Sequence, residues 1–231
     1  ALQRALRSGA TSAEALLDAA LARVDAPAGQ GRVAFLAVDR AGARRDAQTT
    51  DALREAGRAA RPLDGAVVSI KDLFDVAGQV TTAGSRVLAD APPASHDAAA
   101  VARLRAAGAM LIGRTNMTEF AFSGLGLNPH YGTPLCAWDR EHARIAGGSS
   151  SGAAVSVAEG MAHAALGTDT GGSLRIPAAF CGLVAFKPTA SRVPRDGAYP
   201  LSSSIDSIGP IARTVDCCVR LDAVLAGQPF D

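Results

Sequence analysis

Two clusters of small residues carry the chemistry this sequence can support: Gly147-Gly148-Ser149-Ser150-Ser151-Gly152 and Gly171-Gly172-Ser173. A phosphate-binding loop would need a Lys-Ser/Thr ending or a GxGxxG spacing, and the first cluster has neither. An isolated run of this kind reads as a solvated turn. The second cluster differs, because Ser173 follows two glycines just beyond an apolar stretch, Ala164-Ala165-Leu166-Gly167. Glycines let the main chain approach a carbonyl closely and adopt φ values closed to other residues. The N–H groups of Thr170, Gly171, Gly172 and Ser173 could then converge as an oxyanion hole, each donor contributing about 3–4 kcal/mol to transition-state stabilisation.

A serine nucleophile needs a base. None of the four histidines, His96, His130, His142 and His163, sits in a pattern that suggests a His–Asp couple. The remaining candidates are the only two lysines, Lys71 and Lys187. A lysine acts as a base only when neutral, so its pKa must fall from about 10.4 to near 7, at a cost of roughly 4 kcal/mol. The inner end of a buried strand meets that demand. Lys71 follows the apolar run Ala66-Val67-Val68-Ser69-Ile70, which favours it over Lys187, placed before Pro188.

These side chains must be held by a scaffold. Residues 12–25 place Leu16, Leu17, Ala20, Leu21 and Val24 on one helical face, with Ser12 as N-cap. Residues 34–38 read as a strand and 41–60 as an Ala/Arg-rich helix. A strand over 66–70 follows, then a helix over 97–107 stopped by Gly108, then a strand over 110–112. Residues 123–152 read as loop, 152–161 as helix, 164–167 and 183–186 as strands, and 214–226 as a closing helix. Strands alternating with helices predict an α/β sheet, and residues 1–231 are expected to form one domain.

Composition narrows the class. Hydrophobic residues make up 48%, charged residues 19%, and the net charge is +1. That balance suits a globular chain with a filled core and gives no broad field for gripping nucleic acid, so direct nucleic-acid binding is not expected. Aromatics are only 4%, so Ala, Val, Leu and Ile must build the core. Cys136, Cys181, Cys217 and Cys218 show no metal-ligand spacing and are expected as reduced thiols in a cytoplasmic protein, with no metal site. Neither a signal peptide nor a membrane-spanning stretch is apparent, and the absence of an initial Met suggests that residues precede Ala1.

Taken together, VVSIKDLFDVAG (67–78), GRTNMTEFAFSG (113–124), AGGSSSGAAVSVA (146–158), GTDTGGSLRIPAAFCGLVAFKPT (167–189) and DSIGPIARTVDCC (206–218) resemble the amidase signature family. The resemblance implies a mixed central sheet flanked by helices, in an α/β/α arrangement. It further implies acyl transfer from an amide to water with no cofactor. By resemblance, Ser173 is the nucleophile, Ser149 a relay held on a cis peptide, and Lys71 the base. Asp169 and Arg175 would orient them, and Ser150 would join the network. Asn116 and Glu119 match a stretch read as structural. Family members run to about twice this length, so the chain is expected to lack the family's C-terminal part. The implied function is hydrolysis of a small-molecule amide, with homodimer formation left open. The alternatives are a glutaminase subunit of an aminoacyl-tRNA amidotransferase and a non-catalytic fragment. The LFDVAG stretch after Lys71-Asp72 favours the stand-alone amidase.

Overall fold

A computed structural model describes residues 2–229. In chain order its elements are α1 (Leu2–Arg7), α2 (Ala13–Val24), α3 (Gly31–Ala34), β1 (Phe35–Val38), α4 (Arg40–Glu55), β2 (Val67–Lys71), α5 (Ala99–Ala106), β3 (Met110–Thr115), α6 (Ser151–Ala158), β4 (Ala164–Asp169), α7 (Arg175–Phe180), β5 (Val184–Ala185), β6 (Ser207–Ala212) and α8 (Val215–Ala226). The strands form one sheet in the order β1-β3-β2-β4-β6-β5. β2 runs parallel to both β3 and β4, while β1, β6 and β5 pair antiparallel to their neighbours. The expected mixed α/β/α architecture is present.

Strand alternation explains why both faces are covered. Val68, Ile70, Leu111, Leu166, Ile208 and Ala212 face a core shared with α5 and α8. Val67, Met110 and Ile112 face the opposite side, where α2, α4 and α6 supply Leu17, Leu21, Ala43, Ala47 and Val155. Farther along that side, Ala165 and Ile211 meet Ala153, Val157 and Ala178 from α6 and α7. Among the described residues, no helix is long and apolar enough to cross a membrane.

Local signals account for most boundaries. Ser12 caps α2, its side chain accepting the Ala15 N–H at 3.0 Å. α5 begins two residues later than its sequence pattern suggests. Asp97 is used elsewhere, accepting the Ala77 N–H at 2.8 Å and the Arg105 Nε at 2.9 Å. α4 ends at Glu55, short of the expected helix over 41–60.

β6 runs against the local signals. Gly209 and Pro210 read as strand breakers, yet the strand lies between β4 and the edge strand β5. Gly209 is needed because a Cβ there would come within 2.2 Å of the Phe186 carbonyl. Pro210 is tolerated because β5 is only two residues long and its carbonyl still accepts the Phe186 N–H at 3.2 Å.

α6 carries the first Gly/Ser cluster into the sheet, and Gly152 in its first turn makes the approach possible. A Cβ there would lie 2.3 Å from the Ala34 carbonyl and 2.7 Å from the Asn116 nitrogen. Glycine-to-alanine changes inside helices normally stabilise by about 1 kcal/mol. Gly152→Ala is expected instead to destabilise by about 1–3 kcal/mol in chemical denaturation, as overpacked cores do. Gly171→Ala, with open space around it, should leave the denaturation midpoint unchanged.

Candidate active site

The site lies at the C-terminal ends of the parallel strands, where open α/β sheets place their ligands. β2 ends on Lys71, whose carbonyl accepts the Leu73 and Phe74 N–H groups at 2.8 and 3.2 Å and so turns the chain back at once. The neighbouring Asp72 fixes that turn. Its carboxylate pairs with Arg114 Nε at 2.6 Å and accepts the Gly84 N–H at 3.0 Å and the Thr82 hydroxyl. Arg114 Nη2 also donates to the Phe74 carbonyl at 2.9 Å.

Lys71 has no exposed surface, and its Nζ lies 2.7 Å from Ser149 Oγ and 2.9 Å from Thr168 Oγ1. Burial pushes its pKa down to about 7, against the opposing pull of Asp169 and Asp206. A substantial fraction of the amine is therefore neutral at physiological pH. Lys187, the other lysine, donates to the Pro188 carbonyl at 2.9 Å and to Ser207 Oγ at 3.3 Å, and among the described residues it has no hydrogen bond to Ser149 or Ser173.

Ser149 is held from both sides. The Gly148–Ser149 peptide is cis, as the resemblance implied. The Gly148 N–H donates to the Gly124 carbonyl at 2.8 Å, and the Ser149 carbonyl accepts the Thr118 N–H at 3.1 Å. The 124–126 loop packs so closely that a Cβ on Gly148 would sit 2.5 Å from the Gly126 nitrogen.

Ser173 sits beside this pair on the turn between β4 and α7. Its carbonyl accepts the Ser150 N–H at 3.3 Å, and Ser150 Oγ reaches the Thr168 carbonyl at 3.4 Å. Among the described residues, no hydrogen bond joins the Ser149 and Ser173 hydroxyls, and the N–H groups of Gly171, Gly172 and Ser173 have no protein acceptor. Gly172 adopts φ +139°, where a side chain is strained, and a Cβ would lie 2.7 Å from Ile176 Cδ1.

The N–H groups just beyond the turn are already engaged. Asp169 accepts those of Leu174 and Arg175 at 3.1 and 3.3 Å, and both its oxygens pair with the Arg175 guanidinium at 2.9–3.0 Å. Burial raises the Asp169 pKa, but the Arg175 side chain and these two N–H groups outweigh it, leaving the carboxyl below its ordinary value. Asp169 thus anchors the start of α7 and leaves the preceding donors free.

The residues read as structural are spent on structure. Asn116 donates to the Val33 and Gly132 carbonyls at 2.9 and 2.8 Å, and Glu119 accepts from Ser85 Oγ at 2.6 Å. Among the described residues, no histidine hydrogen-bonds to Ser149 or Ser173. His163 accepts the Val67 N–H at 3.0 Å, His130 faces Glu119, His142 faces Asp139 and His96 faces Ser95. Sequence reasoning missed two participants. Thr168 and Asp206 lie inside stretches quoted for the resemblance but were given no role there, and they become neighbours of Lys71 only once β2, β4 and β6 are in register.

The Amidase family model matches residues 15–230. The A-type subunit of glutamyl-tRNA(Gln) amidotransferase from Roseiflexus sp. (strain RS-1) is 47% identical over 230 residues, covering 99% of this chain and 46% of that protein. The 1-carboxybiuret hydrolase subunit AtzE of Pseudomonas sp. (strain ADP) is 41% identical over 227 residues, covering 98% and 49%. The crystal structure of native peptide amidase from Stenotrophomonas maltophilia superposes with a TM-score of 0.88 at 36% identity, covering 99% of this chain and 47% of that one. The chain spans about half the length of the relatives it matches.

The charge state of Lys71 can be read from stability. Its folded pKa lies below its unfolded value, so between about pH 7 and 10 the unfolded chain binds the extra proton and stability rises with pH. Lys71→Met is expected to remove that rise, which amounts to at most about 1.4 kcal/mol per pH unit. Denaturant titrations of both proteins at pH 7, 8 and 9 measure it, and parallel slopes would mean that Lys71 stays charged throughout.

Proposed function

Because this chain belongs to the amidase family, we propose that it hydrolyses a carbon–nitrogen amide bond through an acyl-enzyme on Ser173. The observation that carries this reading is the 2.7 Å contact between a fully buried Lys71 and Ser149, beside a turn of unpaired main-chain donors.

In this mechanism the neutral Lys71 amine takes the Ser149 proton while Ser149 takes that of Ser173, whose oxygen attacks the carbonyl carbon. Rotation of the Ser173 side chain, free of any hydrogen bond among the described residues, brings the two hydroxyls into contact. The N–H groups of the 170–173 turn receive the developing oxyanion. The proton then returns through Ser149 to the leaving nitrogen, the C–N bond breaks, and water releases the acyl group by the same route. Asp169, with Arg175, holds the turn so that its donors face the substrate. No step calls for a cofactor.

The substrate class divides two ways. The LFDVAG stretch supports a stand-alone amidase acting on a small amide, and the relatives named peptide amidase and 1-carboxybiuret hydrolase fit that reading. Several relatives at 44–47% identity are A-type amidotransferase subunits, which favours glutamine as the amide and a partner that receives the ammonia. Ammonia release by the complete protein, from glutamine and from simple aliphatic amides, separates them. Turnover confined to glutamine supports the glutaminase, and turnover of aliphatic amides supports the stand-alone enzyme.

Three outcomes test the mechanism. Ser173→Ala should lose both activity and labelling by a fluorophosphonate, which would also dismiss the non-catalytic fragment. Ser173→Ala and Lys71→Ala should each lower kcat by on the order of 10^4-fold or more, with Ser149→Ala leaving weak residual turnover because the main-chain donors survive. The kcat/KM profile should rise with pH through about 7, since the base works only when unprotonated. A flat profile from pH 5 to 9 would remove Lys71 from that role.

A further inference from the structure

Asp206 lies just ahead of β6, one residue beyond the Asp169–Ser207 pair of the β4–β6 ladder. It is 7% exposed, and each carboxylate oxygen has a defined use. Oδ1 accepts the Thr170 hydroxyl, and Oδ2 accepts the N–H groups of Leu201 and Ser202, both at 2.9 Å. One carboxylate therefore ties the first residue of the donor turn to the 201–206 loop. That loop's segment is in turn joined to the chain leaving Lys71, where the Asp75 N–H donates to the Gly197 carbonyl and the Tyr199 N–H to the Leu73 carbonyl, each at 2.8 Å. A cavity of about 480 Å³ opens here, walled by Thr168, Asp206, Arg195, Tyr199 and Ser202.

The charges around Lys71 are not equivalent. Asp72 is neutralised by Arg114, and Asp169 by Arg175. Lys187 donates to Ser207 Oγ at 3.3 Å, and Arg195 and Asp196 line the same cavity as Asp206. Among the described residues, Asp206 forms no ion pair. Its partners are one hydroxyl and two N–H groups, so its negative charge is not offset by a guanidinium. Asp169 and Asp206 both draw the Lys71 pKa upward against burial.

We propose that Asp206 is a positioning residue of this site, holding Thr170 at the head of the donor turn. This deepens the hydrolase reading and rests on Lys71 acting as the base. The tether can be altered from either end, because Thr170→Val removes the hydroxyl that Asp206 accepts, whereas Asp206→Asn replaces one of its two accepting oxygens with a donor.

In the complete protein, the test follows kcat, KM and the acid limb of kcat/KM against pH, with thermal melts to establish folding. Asp206→Asn, which sets an NH2 group against either the Thr170 hydroxyl or the Leu201 and Ser202 N–H groups, should lower kcat by on the order of 10-fold with KM little changed. Thr170→Val should lower kcat by on the order of 10- to 100-fold with the acid limb unmoved, and Thr170→Ser should restore kcat. Unchanged kcat in a folded Thr170→Val protein would overturn the proposal. Should Asp206→Asn fail to fold, the Thr170→Val and Thr170→Ser pair decides: lost and restored kcat supports the tether, and unchanged kcat in both overturns it. Retained activity in Lys71→Ala would instead remove the base assignment on which the proposal stands, a result distinct from the others.

Discussion

An ammonium group with no exposed surface cannot keep its full charge, and the rest of this structure is arranged around that constraint. Lys71 reaches the end of the central parallel strand already stripped of water, and burial brings its pKa down to about 7 against the upward pull of Asp169 and Asp206. Its two polar contacts, Ser149 and Thr168, are uncharged hydroxyls. A carboxylate in direct contact would stabilise the protonated amine. Of the nearby carboxylates, Asp72 is paired with Arg114 and Asp169 with Arg175, while Asp206 accepts from the Thr170 hydroxyl and two N–H groups.

The backbone around the site follows the same logic of close approach without side chains in the way. Gly148 lets the 124–126 loop press against the cluster that carries Ser149, and Gly152 lets α6 start against the end of β3. Gly172 adopts a conformation that turns the chain between β4 and α7, leaving the N–H groups of the turn unused. Asp169 collects the next two N–H groups at the head of α7, so the division between free and satisfied donors falls at Ser173. A helix start and a donor nest are thereby built from one short segment.

The fold places this machinery where the sheet geometry concentrates it. β2, β3 and β4 run in one direction, so their C-terminal residues, Lys71, Thr115 and Asp169, share one edge of the sheet. β6 runs back against β4 and brings Asp206 to the same edge. The relatives share this half of the fold across about half of their own length, and the residues that meet at the edge all lie within it.

Much of this was legible in the residues alone. Ser12 capping α2, the buried runs of β2 and β4, the helix stopped at Gly108 and the Gly-Gly-Ser turn each follow from local chemistry that acts over a few residues. Lys71 was favoured over Lys187 by its place at the end of an apolar run, and the paired strands show how completely it is buried, because burial depends on what packs around a side chain. β6 was hidden by Gly209 and Pro210, whose exclusion from strands holds only until the neighbours are known. Thr168 and Asp206 stood inside recognisable stretches, but their roles were not legible there. A hydroxyl or a carboxylate acquires its role from partners tens of residues away, and the register that sets those partners is a property of the assembled sheet. The sequence by itself determined which groups could do chemistry and where most of the strands and helices would form. The tertiary structure decided which of those groups lost water, and with it which could act as a base.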